Sequence, residues 1–183
     1  RLLDTRTDAD LLGTAGIVYH APADATRTTL PDGSIDVVFS NSVLEHVEPA
    51  LLPGLLRESR RLVGARGVSL HAVACNDHYA HFDRAISFVH YLQFDARQWR
   101  KWNNALNYQN RLRAPDFIAA AREAGLEIVH EERAVRPGSR EALAAMRVAP
   151  EFASYAAEDL VATSVNFVAR AALGGPVDHS PRT

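Results

Sequence analysis

The run Ile35-Asp36-Val37-Val38-Phe39 is apolar almost throughout. A strand with one wet face alternates between apolar and polar residues, whereas a strand covered on both faces does not. This segment therefore predicts a parallel strand inside an α/β sheet, and that single feature narrows the fold more than any other. The turn before it has a mechanism: in Pro31-Asp32-Gly33-Ser34, proline pre-sets φ and glycine accepts a positive φ.

Other segments extend the pattern. A short helix is expected from Arg6 to Ala15, and a strand over 17–21. From Pro49 or Ala50 to Val63, Leu51, Leu52, Leu55, Leu56 and Leu62 recur at helical spacing opposite Arg57, Glu58, Arg60 and Arg61. Gly64 stops that helix. A strand follows over 68–74, then a helix over 114–124 with Pro115 in its first turn and Gly125 after it. Strands are expected over 126–131 and 164–169, separated by a short helix with Ser139 as its N-cap. Alternating strands and helices predict a doubly wound, mostly parallel α/β sheet. No long helix joins the last two strands, which predicts a closing antiparallel hairpin. Residues 76–113 are too long for a simple connection and read as an inserted helical lid. Residues 174–183 read as a disordered tail.

Composition sets outer limits. The 183 residues suit one domain, and 47% hydrophobic with 23% charged residues is the balance of a soluble globule. A net charge of −2 gives no reason to expect nucleic acid or an anionic membrane as partner. Cys75 stands alone, which excludes a disulfide framework and a multi-cysteine zinc site and suits a reducing cytoplasm. No apolar run approaches the ~20 residues of a membrane helix. Cytoplasmic localisation is the expectation.

In open α/β sheets, ligands bind beyond the carboxyl ends of the strands. Three such ends are legible: Ala23-Asp24-Ala25, Ser40-Asn41-Ser42 and Cys75-Asn76-Asp77-His78. Taken together, Asp24-Ala25-Thr26 and the stretch from Leu30 through Glu45-His46-Val47 resemble the middle of a class I S-adenosylmethionine-dependent methyltransferase of the type 11 kind. Leu55 to Val63 resembles the helix that follows in that family, and Ala124-Gly125-Leu126-Glu127 its later helix-to-strand junction. The likeness is strong over 17–75 and looser over 114–170.

That resemblance implies S-adenosylmethionine as cofactor and a role for each matching residue. Asp24 is implied as acceptor for the adenine amino group, which only donates. Ala25 is implied to meet the adenine ring through its backbone N–H. Ser40 and Asn41 are implied to lie beside the methionine part. The family's Gly-x-Gly-x-Gly loop has no match, since Gly13-x-x-Gly16 is misplaced, and none of Asp4, Asp8 and Asp10 matches the ribose-binding acid. The chain is therefore read as a partial methyltransferase domain over 1–173, starting after the family's second strand. In some relatives an acidic residue and a Glu-His pair bind a divalent cation. Here Asn41 or Ser42 stands at the acidic position, so Glu45-His46 reads as a helix-start pair satisfied by hydrogen bonds, and no metal is expected.

Within the insertion, residues 79–108 hold eight of the fourteen aromatics, with Arg84, Arg97, Arg100 and Lys101 among them and Arg111 and Arg113 just beyond that stretch. Such a surface suits a sugar, aromatic or anionic small molecule, or else the aromatics pack on the sheet. His78 and His81 follow a strand end, three residues apart. Either suits a general base for an alcohol or amine acceptor, with Asp77 or Asp83 orienting a ring. Helix capping and metal binding are the competing roles. The expected function is methyl transfer to a small-molecule acceptor, with no nucleic-acid or membrane partner. The alternative is a catalytically inactive remnant acting as a binding module. A metal-dependent hydrolase is disfavoured, because no complete ligand motif is present.

Overall fold

The computed structural model describes residues 7–172. The expectations for Arg6 and for 174–183 lie outside the described residues. Four strands form one sheet: β1 (Val37–Asn41), β2 (Val68–Ala74), β3 (Leu126–Ala134) and β4 (Ser164–Ala171), in the order β1-β2-β4-β3. Strand β1 pairs parallel with β2, while β4 runs antiparallel to both β2 and β3. Three strands thus point the same way and only β4 is reversed. The mostly parallel character holds for strand direction, but only one of the three pairings is parallel. The closing β3–β4 hairpin is present, with a bulge between Ile128 and His130.

Residues 17–21 form no strand. They run unpaired, with Ile17, Val18 and Tyr19 exposed by 53, 77 and 75%. A strand exists only when a neighbour shares its hydrogen bonds, and β1 has β2 as its only partner among the described residues.

Helix α1 (Asp8–Ala15) begins at Thr7, whose hydroxyl accepts from the amide of Asp10. Helix α2 (Leu52–Val63) starts two to three residues later than expected, because Pro53 fits its first turn. It packs beside α4 (Ala114–Glu123) on one face of the sheet. Leu52, Leu56, Val73, Phe117, Val165 and Phe167 are all nearly solvent-free there, each worth about 1.5–3 kcal/mol in burial. The strand expected over 35–39 with both faces covered runs instead over Val37–Asn41, and its opposite face is open: Phe39, in a row with Leu70 and Val168, is exposed by 76%. Gly67 lets the chain turn into β2. A Cβ there would lie 2.5 Å from the carbonyl oxygen of Ile35 and 2.8 Å from that of Asp36.

The 76–113 segment carries its own helical turns, at 78–81, 90–93 and α3 (Ala96–Trp99). Its aromatics divide. Tyr91 and Trp99 are buried in a second core with Val89, Leu92, Phe152 and Leu160, whereas Phe82 and Trp102 are exposed by 85 and 50%. That second core joins the segment to the β3–β4 connection, which contains α5 (Ser139–Ala145) and α6 (Ala157–Val161). Helix α5 is capped by Gly138 at φ 79°, not by Ser139, which is its first residue.

Arg111 and Arg113 are structural rather than ligand-facing. Arg113 is fully buried. Its guanidinium donates to the carbonyls of Cys75 (2.7 Å), Asp159 (3.1 Å), Leu160 (3.0 Å) and Ala162 and to the Tyr91 hydroxyl. Three of those carbonyls lie in the last turn of α6 or just beyond it, where helix carbonyls lack intrahelical donors. Arg111 pairs with Glu151 and lies between the rings of Trp99 and Phe152.

Candidate active site

Because β1, β2 and β3 point the same way, their carboxyl ends meet at one edge of the sheet. Ser42, directly after β1, holds a positive φ of 53°. A non-glycine residue in that region stores strain and often marks a functional site.

A cavity of about 430 Å³ runs along β1 and is lined by Ala25, Ser40 and Asn41 together with Val43, Leu55 and Leu62. Three of the four expected cofactor residues therefore share one wall. Asp24 is the neighbour of Ala25 and is exposed; its Oδ1 accepts from both the amide and the hydroxyl of Thr26, at 2.8 and 2.7 Å. Those bonds hold its carboxyl below the usual range and leave Oδ2 free to accept. The loop is tied down by Glu58, which accepts from the amide and hydroxyl of Thr28 and from Arg61. Arg61 above all, and then Thr28, pull Glu58 down to about 2.

The Ser40 hydroxyl is engaged inward, 2.8 Å from Nδ1 of His71. Nε2 of His71 lies 2.6 Å from the Ser69 hydroxyl, which bonds Ser59. Ser40 can therefore meet a ligand chiefly through its backbone. Burial pushes His71 down to about 4, so the folded protein favours the neutral ring. Above pH ~6.5 the ring is neutral in both folded and unfolded states. As pH falls below that value, the unfolded chain binds a proton that the folded chain refuses, and stability drops until about pH 4. The contribution lost is at most about 3 kcal/mol. Urea unfolding between pH 7 and 4.5 should show this slope in the wild type and a shallower one in His71→Asn. Equal slopes would contradict it.

A second cavity, of about 390 Å³, lies at the strand-end edge and is lined by Asn41, Ser42, Asn76, His81, Arg136 and Thr163. Asn41 thus borders both cavities. His81 is exposed, and its Nε2 lies 3.1 Å from Oδ1 of Asn76. Asn76 is buried and donates from Nδ2 to the Thr163 carbonyl at 3.1 Å, which fixes the amide with its oxygen toward His81. An amide oxygen only accepts, so Nε2 carries the proton and Nδ1 keeps a free lone pair.

Neither aspartate orients His78 or His81. Asp77 caps the 78–81 turn through the amide of Tyr79 and faces His90 at 3.3 Å, while Asp83 accepts from the amide of Ala85. Capping thus falls to Asp77 and not to the histidines. The sequence reading missed Asn76 as the group that orients His81; its position directly after β2 was the available signal.

His78 is half-buried, with its ring 5.9 Å from that of His81 and 5.0 Å from that of His46. Burial first, then the neighbouring histidines, push it down to about 4. His46 meets the Tyr108 carbonyl through Nδ1 at 2.6 Å. The expectation that hydrogen bonds satisfy Glu45-His46 holds for His46 and fails for Glu45. That residue is 1% exposed, and among the described residues neither of its carboxylate oxygens has a hydrogen-bond partner.

The fold has counterparts among solved structures. One from Mesorhizobium loti, an S-adenosylmethionine-dependent methyltransferase, superposes with a TM-score of 0.53 at 20% identity, over 88% of this chain and 74% of that one. A methyltransferase from Methanosarcina mazei gives 0.51 at 9% identity, over 82 and 66%. The [4+2]-cyclase SpnF gives 0.52 at 18% identity, over 91 and 61%. The family model described as a methyltransferase domain matches residues 6–70. This is the class I methyltransferase fold. S-adenosylmethionine is the cofactor of that class. No curated protein matches the chain. The chain spans about three fifths of the length of that cyclase. Among the described residues, no helix is long and apolar enough to cross a membrane.

Proposed function

We propose that the protein transfers the methyl group of S-adenosylmethionine to a small-molecule acceptor bound at the strand-end edge. The observation that carries this reading is the shared wall: Asn41 borders both the cavity beside Ala25 and Ser40 and the cavity that holds His81. A cofactor in the first and an acceptor in the second would meet across that residue, which is the alignment a bimolecular displacement needs.

The first cavity fits a nucleoside. Its volume lies within the usual range for ligand sites, Val38, Val43, Leu55 and Leu62 give it apolar walls beside the polar Thr28 and Glu58, and Asp24 Oδ2 accepts from no group among the described residues. The bound cofactor supplies an electrophilic methyl group on a sulfonium sulfur. In this reading Asp24 receives the adenine amino group, Ala25 offers its backbone to the ring, and the backbone of Ser40 and Asn41 borders the methionine part. His81 Nδ1 would take the acceptor's proton as the acceptor bonds the methyl carbon and the carbon–sulfur bond breaks, its electron pair staying on the sulfur. Asn76 holds the ring through Nε2, and His78 borders the same region.

Asp24 is exposed, so water competes for its free oxygen. Asp24→Ala should weaken S-adenosylmethionine binding by about tenfold, the low end for a hydrogen bond to a charged group. Calorimetric titration checks this, and unchanged affinity removes Asp24 from the site.

The resemblance to a [4+2]-cyclase favours one second reading, in which the fold holds a ligand without methyl transfer. Incubation with methyl-labelled cofactor and a panel of hydroxyl and amine acceptors separates the two. Label in an acceptor supports transfer, and binding without label supports the second reading.

A further inference from the structure

We propose that Glu45, His46 and His78 form a binding site for a divalent transition-metal ion of the zinc class. One ligand atom from each of the three lies within 4.8 Å of the others. Ligands at 2.0–2.1 Å around a tetrahedral ion sit roughly 3.4 Å apart. Small side-chain rotations of the exposed His46 and the half-buried His78 close that difference.

Three independent features converge here. The first is the carboxylate of Glu45. Buried carboxylates are almost always hydrogen-bonded or metal-bound, because leaving one bare is costly. The backbone amides of Glu45 itself and of Ala74 lie near and offset part of the cost of its burial, but among the described residues neither oxygen has a partner at full hydrogen-bond geometry. Protonation does not remove the problem, since a carboxylic acid brings a donor that also needs a partner.

The second is the tautomer of His46. The Tyr108 carbonyl only accepts, so Nδ1 carries the proton and Nε2 keeps its lone pair. A ring whose distal N–H is held by a carbonyl is the usual arrangement of a metal-bound histidine. The third is His78, whose ring makes no hydrogen bond among the described residues and is edge-on to His46 at 5.0 Å. The parallel β1–β2 pairing brings the two strand ends together, and with them residues 33 positions apart in sequence.

The donor set decides the ion. Two imidazoles and one carboxylate favour zinc, iron, cobalt or manganese over magnesium and calcium, which prefer oxygen cages. Three protein ligands leave at least one position open. The ring of His81, which lines the acceptor cavity, lies 5.9 Å from that of His78.

The test requires neither cofactor nor acceptor, so its outcome is independent of the methyl-transfer reading. Chelator-treated protein is titrated with Co²⁺ by visible absorption and with Zn²⁺ by calorimetry. The proposal expects one Zn²⁺ per chain, and Co²⁺ bands of a four- or five-coordinate ion that Zn²⁺ displaces. Glu45→Gln and His78→Ala should each weaken Zn²⁺ binding by at least about 100-fold, and His81→Ala should leave it unchanged. His46→Ala, at an exposed position, repeats the test where folding is not at stake, with the circular dichroism of each variant confirming its fold. Absent stoichiometric binding, or binding that survives both His46→Ala and Glu45→Gln, overturns the site.

Discussion

Arg113→Met is expected to destabilise the protein by about 3–5 kcal/mol, the cost of stripping a buried charged group from its partners. The methionine fills most of the volume but cannot donate. The carbonyls of Cys75, Leu160 and Ala162 are then left buried without their guanidinium. These carbonyls belong to the end of β2 and to the end of α6, and the Tyr91 hydroxyl belongs to the 76–113 segment. One side chain therefore ties three separate parts of the chain together. Thermal unfolding should fall by on the order of 10 °C. Arg113→Lys should recover little, because a single ammonium cannot span the fan of acceptors that a planar guanidinium reaches. A loss below about 1 kcal/mol in urea unfolding would show that the carbonyls find other donors.

His81→Ala is expected to lower turnover by about 10²–10⁴-fold while leaving S-adenosylmethionine affinity unchanged. The separation follows from geometry. His81 borders the cavity at the strand ends, whereas Ala25 and Ser40 line the other one. The side chain is exposed and the 78–81 turn is capped by Asp77, so its removal should leave the melting temperature nearly unchanged. Asn76→Ala should give a smaller loss of turnover, because it frees the ring without removing it. Single-turnover kinetics with saturating cofactor measures both. Wild-type turnover in His81→Ala would mean that the acceptor is nucleophilic without a base and that catalysis rests on alignment.

The regular elements were legible where local pattern and packing agree. The 68–74 strand matches β2 residue for residue. The 114–124 helix differs from α4 by one residue at its end. Residues 17–21 were misread because β-branched and aromatic content signals a strand only when a neighbour is present to pair with. The site was legible in outline and not in detail. Small residues after the expected strands pointed to Ala25, Ser40 and Asn41, which do share a cavity, although Ala25 follows no strand and Ser40 and Asn41 lie inside β1. The inward bond of the Ser40 hydroxyl depends on His71, 31 residues away. The grouping of Glu45 with His78 depends on strand pairing, and the buried roles of Arg111 and Arg113 depend on the second core. None of these contacts is local, so periodicity and spacing carry no trace of them.

Hydrogen exchange of the protein with and without S-adenosylmethionine tests the central claim most directly. The account predicts slowed exchange concentrated at residues 23–28 and 40–44, where the Asp24 loop and the end of β1 border the cavity. Saturating cofactor that leaves both segments unchanged, or that protects another part of the chain instead, would contradict it.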